Sequence, residues 1–112
     1  MLLLLHGYGS NEQDLASLTD EFPPELLVLS VRAPRTLTEG SYAWFAIDFS
    51  SGTPVNNKVE AEESRLVLKK FIDEAIVHFS ADKDRVTLLG FSQGAIMSYS
   101  IALTFPGFVS GI

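Results

Sequence analysis

Two kinds of apolar segment alternate along this chain. Short runs with almost no polar interruption occupy residues 2–5, 26–31, 85–89 and 108–112. Such runs are typical of strands that are buried on both faces, as in a parallel sheet. We therefore predict four strands, with helices between them.

Three longer segments carry apolar residues at helical spacing. The first begins with Ser10 and Gln13, a pair typical of a capping box, and ends before two consecutive prolines. The second spans about residues 59–79 and has glutamates in its first turn, where the helix dipole favours negative charge. The third follows Ser92. The apolar residues that define the three helices are Leu15, Leu18 and Phe22, then Leu68, Ile72, Ala75, Ile76 and Phe79, then Ala95, Ile96, Tyr99 and Leu103.

Strands separated by helices in this order predict a parallel sheet with right-handed crossovers and helices on both faces. The fold class is therefore α/β, within a single domain. Only the segment 32–58 breaks the pattern, with two prolines and two glycines around Tyr42, Trp44 and Phe45. A long irregular loop of this kind is often functional, although its aromatic side chains would also suit a cover over an apolar surface.

Charge and composition exclude several classes of function. Eight basic and fourteen acidic side chains give a formal net charge of −6, and the basic pair Lys69-Lys70 lies on a predicted helix surface. Such a chain repels phosphate backbones, so we expect no nucleic-acid partner. The absence of cysteine excludes disulfides and thiolate chemistry, and we expect a cytoplasmic protein. The apolar opening at residues 2–5 is too short for a signal peptide or a membrane span.

The segment GFSQG at residues 90–94 places Ser92 between two glycines. It follows a predicted strand and opens a predicted helix, which is the setting of a nucleophile elbow. So sharp a turn leaves little room for neighbouring side chains, which explains the glycines. The turn directs the backbone N–H of Gln93 and the helix N-terminus at any group on Ser92, where they would stabilise an oxyanion. The alternative is an ordinary turn with Ser92 as the helix N-cap.

A second glycine-rich turn, LHGYGS at residues 5–10, directly follows the first strand. Its backbone can approach a ligand closely, at the same sheet edge as Ser92. We predict that the N–H of Tyr8 supplies the other oxyanion donor. A dinucleotide fingerprint would need a third glycine at Glu12, and a P-loop would need a lysine, so both phosphate-binding alternatives fail. His6 is predicted to fix the loop by hydrogen bonds rather than to act as a base.

Four ordered motifs resemble those of the phospholipase/carboxylesterase family of α/β-hydrolases, which includes acyl-protein thioesterases and bacterial carboxylesterases. They are LHGYGSNEQDL from Leu5, RAP at 32–34, YAWF at 42–45 and GFSQGA from Gly90, so the resemblance runs along essentially the whole chain. It implies a three-layer, mostly parallel sheet of the α/β-hydrolase type. It also implies that Ser92 is the nucleophile, that the Tyr8 and Gln93 amides form the oxyanion hole, and that Trp44 lies near the substrate pocket. This chemistry needs no metal or organic cofactor. The related dienelactone hydrolases use a cysteine here, and this chain has none.

The chain departs from the family after Ser92, where it contains no Asp, Glu or His. In α/β-hydrolases the catalytic acid and histidine follow the nucleophile in chain order, so the resemblance implies that residues 1–112 are the N-terminal portion of one hydrolase domain. Without a base, Ser92 is not an efficient nucleophile at neutral pH.

Two hypotheses of function follow. The first is a serine hydrolase acting on small-molecule esters or thioesters; the second is a non-catalytic hydrolase scaffold that serves binding or assembly. In addition, the predicted strand 108–112 would leave an apolar edge that pairs with another chain, so we expect a homo-oligomer.

Overall fold

The computed structural model describes all residues 1–112. In chain order the elements are β1 (Leu2–Leu5), α1 (Gln13–Ala16), a 3-10 helix (Ser17–Glu21), β2 (Val28–Val31), β3 (Arg35–Thr38), β4 (Ser41–Ala43), β5 (Ile47–Asp48), β6 (Val55–Asn56), α2 (Lys58–His78), β7 (Thr87–Gly90) and α3 (Gln93–Thr104). The sheet order is β2-β1-β7, and both pairings are parallel. The predicted α/β class is confirmed.

The hydrophobic core lies between the sheet and the helices α2 and α3. Leu3 and Leu5 of β1 are buried in one cluster with Leu68 and Ile72 of α2 and with Met97 of α3. Because successive strand residues alternate between faces, Leu2 and Leu4 point to the other side. There α1 lies against β1 and β2, which makes a three-layer arrangement.

The segment 32–58, predicted to be an irregular loop, contains two antiparallel hairpins. They are formed by β3 with β4 and by β5 with β6. Strands of two to four residues are too short to show alternation in the sequence, and tertiary contacts hold β4. The Gly9 N–H donates to the Tyr42 carbonyl at 2.9 Å, and the Tyr42 N–H donates to the Ser10 carbonyl at 2.8 Å. The hairpin β3–β4 is therefore docked on the glycine-rich loop.

The predicted strand 108–112 is reduced to a single parallel bridge, between Gly111 and Thr87. The Leu88 N–H donates to the Gly111 carbonyl at 3.0 Å, and the Ser110 N–H donates to the Val86 carbonyl at 2.7 Å. Phe108 and Val109 instead pack against the core, and the Lys69 ammonium lies 4.2 Å from the centre of the Phe108 ring. The contact with β7 is therefore limited to residues 110 and 111, and no continuous edge strand forms.

The first predicted helix is shorter than its sequence pattern. It consists of one α-helical turn followed by the 3-10 helix, and Leu15, Leu18 and Phe22 are only half-buried. The capping box is wrong, because the Ser10 hydroxyl donates to the Asp14 carboxylate. The Asn11 side-chain oxygen accepts from the Gln13 N–H at 2.8 Å instead.

The long helix α2 was predicted within one residue at each end. Its N-cap is Asn57, whose side chain accepts from the Glu60 N–H at 3.1 Å. Of the predicted stripe, Leu68, Ile72 and Ala75 are buried, Ile76 is half-buried and Phe79 is exposed. No helix of the chain is both long enough and apolar enough to span a lipid bilayer.

The apolar residues that marked α3 in the sequence lie mostly on its outer side. Ile96, Tyr99 and Leu103 are 50%, 59% and 78% exposed. The helix buries a different face, made of Gln93, Gly94, Met97, Ser98 and Ile101. The helix is therefore apolar on two sides, and only one of them is covered within these residues.

This uncovered surface predicts self-association of the 112-residue chain. Ile96, Tyr99 and Leu103 form an exposed apolar face, which in water favours burial against a second molecule. We expect size-exclusion chromatography with light scattering to give a mass above 12.3 kDa that rises with concentration. A clean monomer at high concentration would contradict this prediction.

Candidate active site

Ser92 stands in a strained backbone conformation at the junction of β7 and α3. Its φ is +57° and its ψ is −118°, a backbone region that residues other than glycine rarely occupy. Such a conformation costs about 1–3 kcal/mol and persists only where the surrounding structure enforces it. Here the Phe91 N–H donates to the Leu5 carbonyl at 3.0 Å, and the Ala95 N–H donates to the Ser92 carbonyl at 3.0 Å. These bonds join the turn to β1 on one side and to α3 on the other.

Two glycines allow the turn to pack this tightly. A Cβ on Gly90 would lie 2.3 Å from the Gly94 carbonyl carbon, and a Cβ on Gly94 would lie 1.9 Å from the Leu5 carbonyl oxygen. Neither distance is possible, because both contacts involve backbone atoms that cannot swing away. The crowding predicted for the GFSQG segment is therefore present, and it arises where the start of α3 packs against the ends of β7 and β1.

Ser92 and Tyr8 line the same cavity, which has a volume of about 290 Å³. It lies at the carboxyl ends of β1 and β7, where ligands bind in parallel α/β sheets. The glycine-rich loop passes close to the serine: a Cβ on Gly7 would be 3.1 Å from the Ser92 Cβ. A larger apolar cavity of about 430 Å³ lies near Met1 and Thr87, at the opposite end of the strands. The smaller cavity is the candidate active site, because the strained Ser92 lines it.

The amides of Tyr8 and Gln93 have no partner within the chain. Neither N–H donates to any backbone or side-chain acceptor, although the neighbouring Gly9 and Gly94 amides both do. Two free donors beside one serine are the arrangement an oxyanion hole requires. Ser92, Tyr8 and Gln93 thus lie close together, and their roles as nucleophile and oxyanion donors stay predictions.

His6 is 1% exposed and fixes the loop. Its Nε2 atom accepts from the Ala33 N–H at 3.0 Å, and its Nδ1 atom lies 2.8 Å from the Gly7 carbonyl oxygen, to which it donates. Both ring nitrogens are therefore occupied by backbone groups. A histidine held in this way has no free nitrogen with which to take a proton from Ser92.

Trp44 lies deeper than the family resemblance implies. The side chain is 1% exposed, and it is absent from the wall of the Ser92 cavity. Its Nε1–H donates to the His6 carbonyl at 2.9 Å, and the two rings lie 5.9 Å apart. The aromatic segment, residues 42–45, would have to move before Trp44 could contact a substrate. That contact therefore stays a prediction.

The Gln93 side chain is a participant that the sequence analysis missed. It is buried, its Oε1 atom accepts from the Trp44 N–H at 3.0 Å, and its Nε2–H donates to the Phe45 carbonyl at 2.8 Å. A signal was present in the sequence. Gln93 precedes Met97 and Ile101 at steps of four, so the spacing places all three on one helix face.

An ion pair anchors the segment that follows the glycine-rich loop. The Arg32 Nε–H donates to the Glu12 carboxylate at 2.8 Å, and the same guanidinium lies 4.4 Å from the centre of the Tyr42 ring. This hydrogen bond with Arg32 lowers the pKa of the Glu12 carboxyl below its usual value. The start of α1 is thereby tied to the RAP turn.

Comparisons with known proteins identify the family of this chain. The sequence model of the Phospholipase/Carboxylesterase family matches residues 1–112. Among curated proteins, "Putative hydrolase MhqD" of Bacillus subtilis (strain 168) is 33% identical over 111 residues, which cover 99% of this chain and 54% of that protein.

Solved structures show the same likeness. The Bacillus cereus carboxylesterase has 31% identity and a TM-score of 0.82, covering 99% of this chain and 50% of that one. The carboxylesterase from Mesorhizobium loti has 27% identity and a TM-score of 0.83, covering 96% of this chain and 50% of that one. This chain thus spans about half the length of the relatives it matches. The family match over all 112 residues and the shared fold show that the chain belongs to the phospholipase/carboxylesterase family of α/β-hydrolases.

Proposed function

We propose that the complete protein is a serine hydrolase that cleaves small-molecule carboxylic esters or thioesters through Ser92. The observation that carries this proposal is the strained backbone of Ser92, with a φ of +57°, at a strand–turn–helix junction that opens into a cavity. A serine that served only as a helix N-cap would have no need of this conformation, and Ser92 makes no side-chain cap hydrogen bond.

In the proposed reaction the Ser92 oxygen attacks the substrate carbonyl carbon while a general base takes its proton. The carbonyl electron pair moves onto oxygen, and the Tyr8 and Gln93 amides donate hydrogen bonds to the resulting oxyanion. Collapse of this tetrahedral intermediate breaks the bond to the alcohol or thiol, which leaves with the proton. Water then attacks the acyl-enzyme by the same route and releases the acid.

The acid and the base of this mechanism are proposed to lie beyond residue 112. Residues 93–112 contain no Asp, Glu or His, and both nitrogens of His6 are engaged. Because the chain spans about half of its relatives, a further segment of one hydrolase domain is the proposed source. The expected cytoplasmic location stays a prediction.

The second candidate is a non-catalytic scaffold for binding or assembly. Two observations favour it. No base within these residues contacts Ser92, and the exposed face of α3 offers a docking surface. The unpartnered Tyr8 and Gln93 amides favour the hydrolase, because assembly alone does not require two free donors beside a serine.

Intact mass spectrometry after exposure to a fluorophosphonate probe tests the proposal. In the complete protein we expect a single adduct, mapped to Ser92 by peptide sequencing. The 112-residue chain, of mass 12.3 kDa, should stay unlabelled because Ser92 lacks a base there. A complete protein that takes up no probe would favour the scaffold.

A further inference from the structure

The two amides of the proposed oxyanion hole are linked by one buried chain of hydrogen bonds. It starts at the Gln93 carboxamide, which accepts from the Trp44 N–H at 3.0 Å and donates to the Phe45 carbonyl at 2.8 Å. It continues through the Trp44 indole, whose N–H donates to the His6 carbonyl at 2.9 Å. His6 directly precedes Gly7 and Tyr8. The residue that supplies one amide therefore also reaches the loop that supplies the other.

From this linkage we propose that the side chains of Gln93 and Trp44 are positioning groups that set the distance between the Gln93 and Tyr8 amides. The inference rests on the proposed function, because it concerns the same reaction. In this role the buried Trp44 ring holds the loop through its N–H bond to the His6 carbonyl and does not need to contact the substrate.

The groups around these hydrogen bonds hold them rigidly in place. Gln93, Trp44 and His6 are each buried to 98% or more. The Ser64 hydroxyl of α2 donates to the Trp44 carbonyl, and His6 is held by the Ala33 N–H at 3.0 Å. A buried polar group that loses its partner pays its full desolvation cost, so these bonds stay formed. The elbow, the aromatic segment and the glycine-rich loop are thus held as one unit.

A disturbance of this unit is expected to change kcat rather than KM. Oxyanion donors act on charge that develops in the transition state, so a shift in their spacing lowers kcat and leaves substrate binding nearly unchanged. Catalytic groups have to be held within about 0.5 Å of the productive geometry. A side chain that only stabilised the fold would lower the amount of folded enzyme, and kcat per labelled site would not change.

The test uses two variants of the complete protein. Gln93→Met keeps the length of the side chain and the backbone N–H but removes both polar ends. Trp44→Phe keeps an aromatic ring but removes the indole N–H. Each should lower kcat by on the order of 10²-fold, with KM changed less than about threefold. The double variant should lose little more than the worse single one, because both changes break the same chain of bonds.

The matched control is Ile72→Val, a change in a buried α2 residue that takes no part in these bonds. It should lower the melting temperature and leave kcat per active site within about twofold of the parent value. Active sites are counted by fluorophosphonate adducts on Ser92 in every preparation. If Gln93→Met does not fold, Trp44→Phe carries the test alone.

Each outcome is decisive. If the parent protein is labelled at Ser92 and both variants keep kcat, or raise KM alone, the positioning role is overturned while the hydrolase assignment stands. If the parent protein takes up no probe, the proposed function fails, and the inference fails with it.

Discussion

Replacing Ser92 by alanine in the complete protein is expected to lower kcat for p-nitrophenyl butyrate by about 10⁴-fold or more. Alanine removes the oxygen that attacks the carbonyl, so no acyl-enzyme forms. The fold should be kept, because the Ser92 side chain makes no hydrogen bond within the chain. Steady-state rates and melting curves on the same preparations measure both effects.

The control for this change is Ser50→Ala. Ser50 is an exposed serine in a turn, and its hydrogen bonds go only to the exposed Asp48 carboxylate, so the activity of this variant should equal that of the parent. An Ser92→Ala protein that turned over the ester at the parent rate would refute the nucleophile assignment. The scaffold hypothesis would then become the better account of the chain.

The largest effect on stability is expected from Gly94→Ala. The new methyl group would lie 1.9 Å from the Leu5 carbonyl oxygen and 2.8 Å from that of His6. Both atoms belong to the backbone at the end of β1, so α3 and the central strand would have to separate. We expect a loss of roughly 4 kcal/mol or more, which is the range of severe backbone and core disruptions. Circular dichroism during heating should show a strongly lowered melting temperature or no folded state.

Gly111→Ala is the matched control, because its methyl group would only touch the Thr87 side chain at an ordinary 3.5 Å. This variant should melt within a few degrees of the parent. A Gly94→Ala protein that also melted normally would mean that the elbow helix does not press on β1 as described.

Much of the architecture was predictable because the segments that form it are uniform. β1 is four leucines in a row, and such a run can be satisfied only by burial on both faces of a sheet. The helix α2 has 21 residues, long enough for its apolar period and its acidic first turn to appear clearly. The elbow was predictable for another reason: a Cβ on Gly90 would collide with the backbone of Gly94, and this local steric requirement selects glycine in the sequence.

Other features were not predictable, because distant contacts decide them. The hairpin β3–β4 forms where Tyr42 exchanges hydrogen bonds with Gly9 and Ser10. Nothing near Tyr42 in the sequence shows that these partners are at hand. The strand predicted at 108–112 is reduced to one bridge for a related reason, since Phe108 and Val109 pack against the core and only Gly111 pairs with β7. Apolar composition alone does not distinguish a strand from a segment that packs its side chains against the core.

The candidate site divides in the same way. The sequence by itself determined the fold class, the two glycine-rich turns and the serine that one of them presents, because each depends on local periodicity or local crowding. Only the tertiary structure decided that Ser92 and Tyr8 share a cavity, that His6 has both nitrogens occupied, and that Gln93 reaches Trp44. These facts depend on which buried polar atoms meet across elements far apart in the chain, and hydrogen-bond partners of that kind are set by packing, not by spacing.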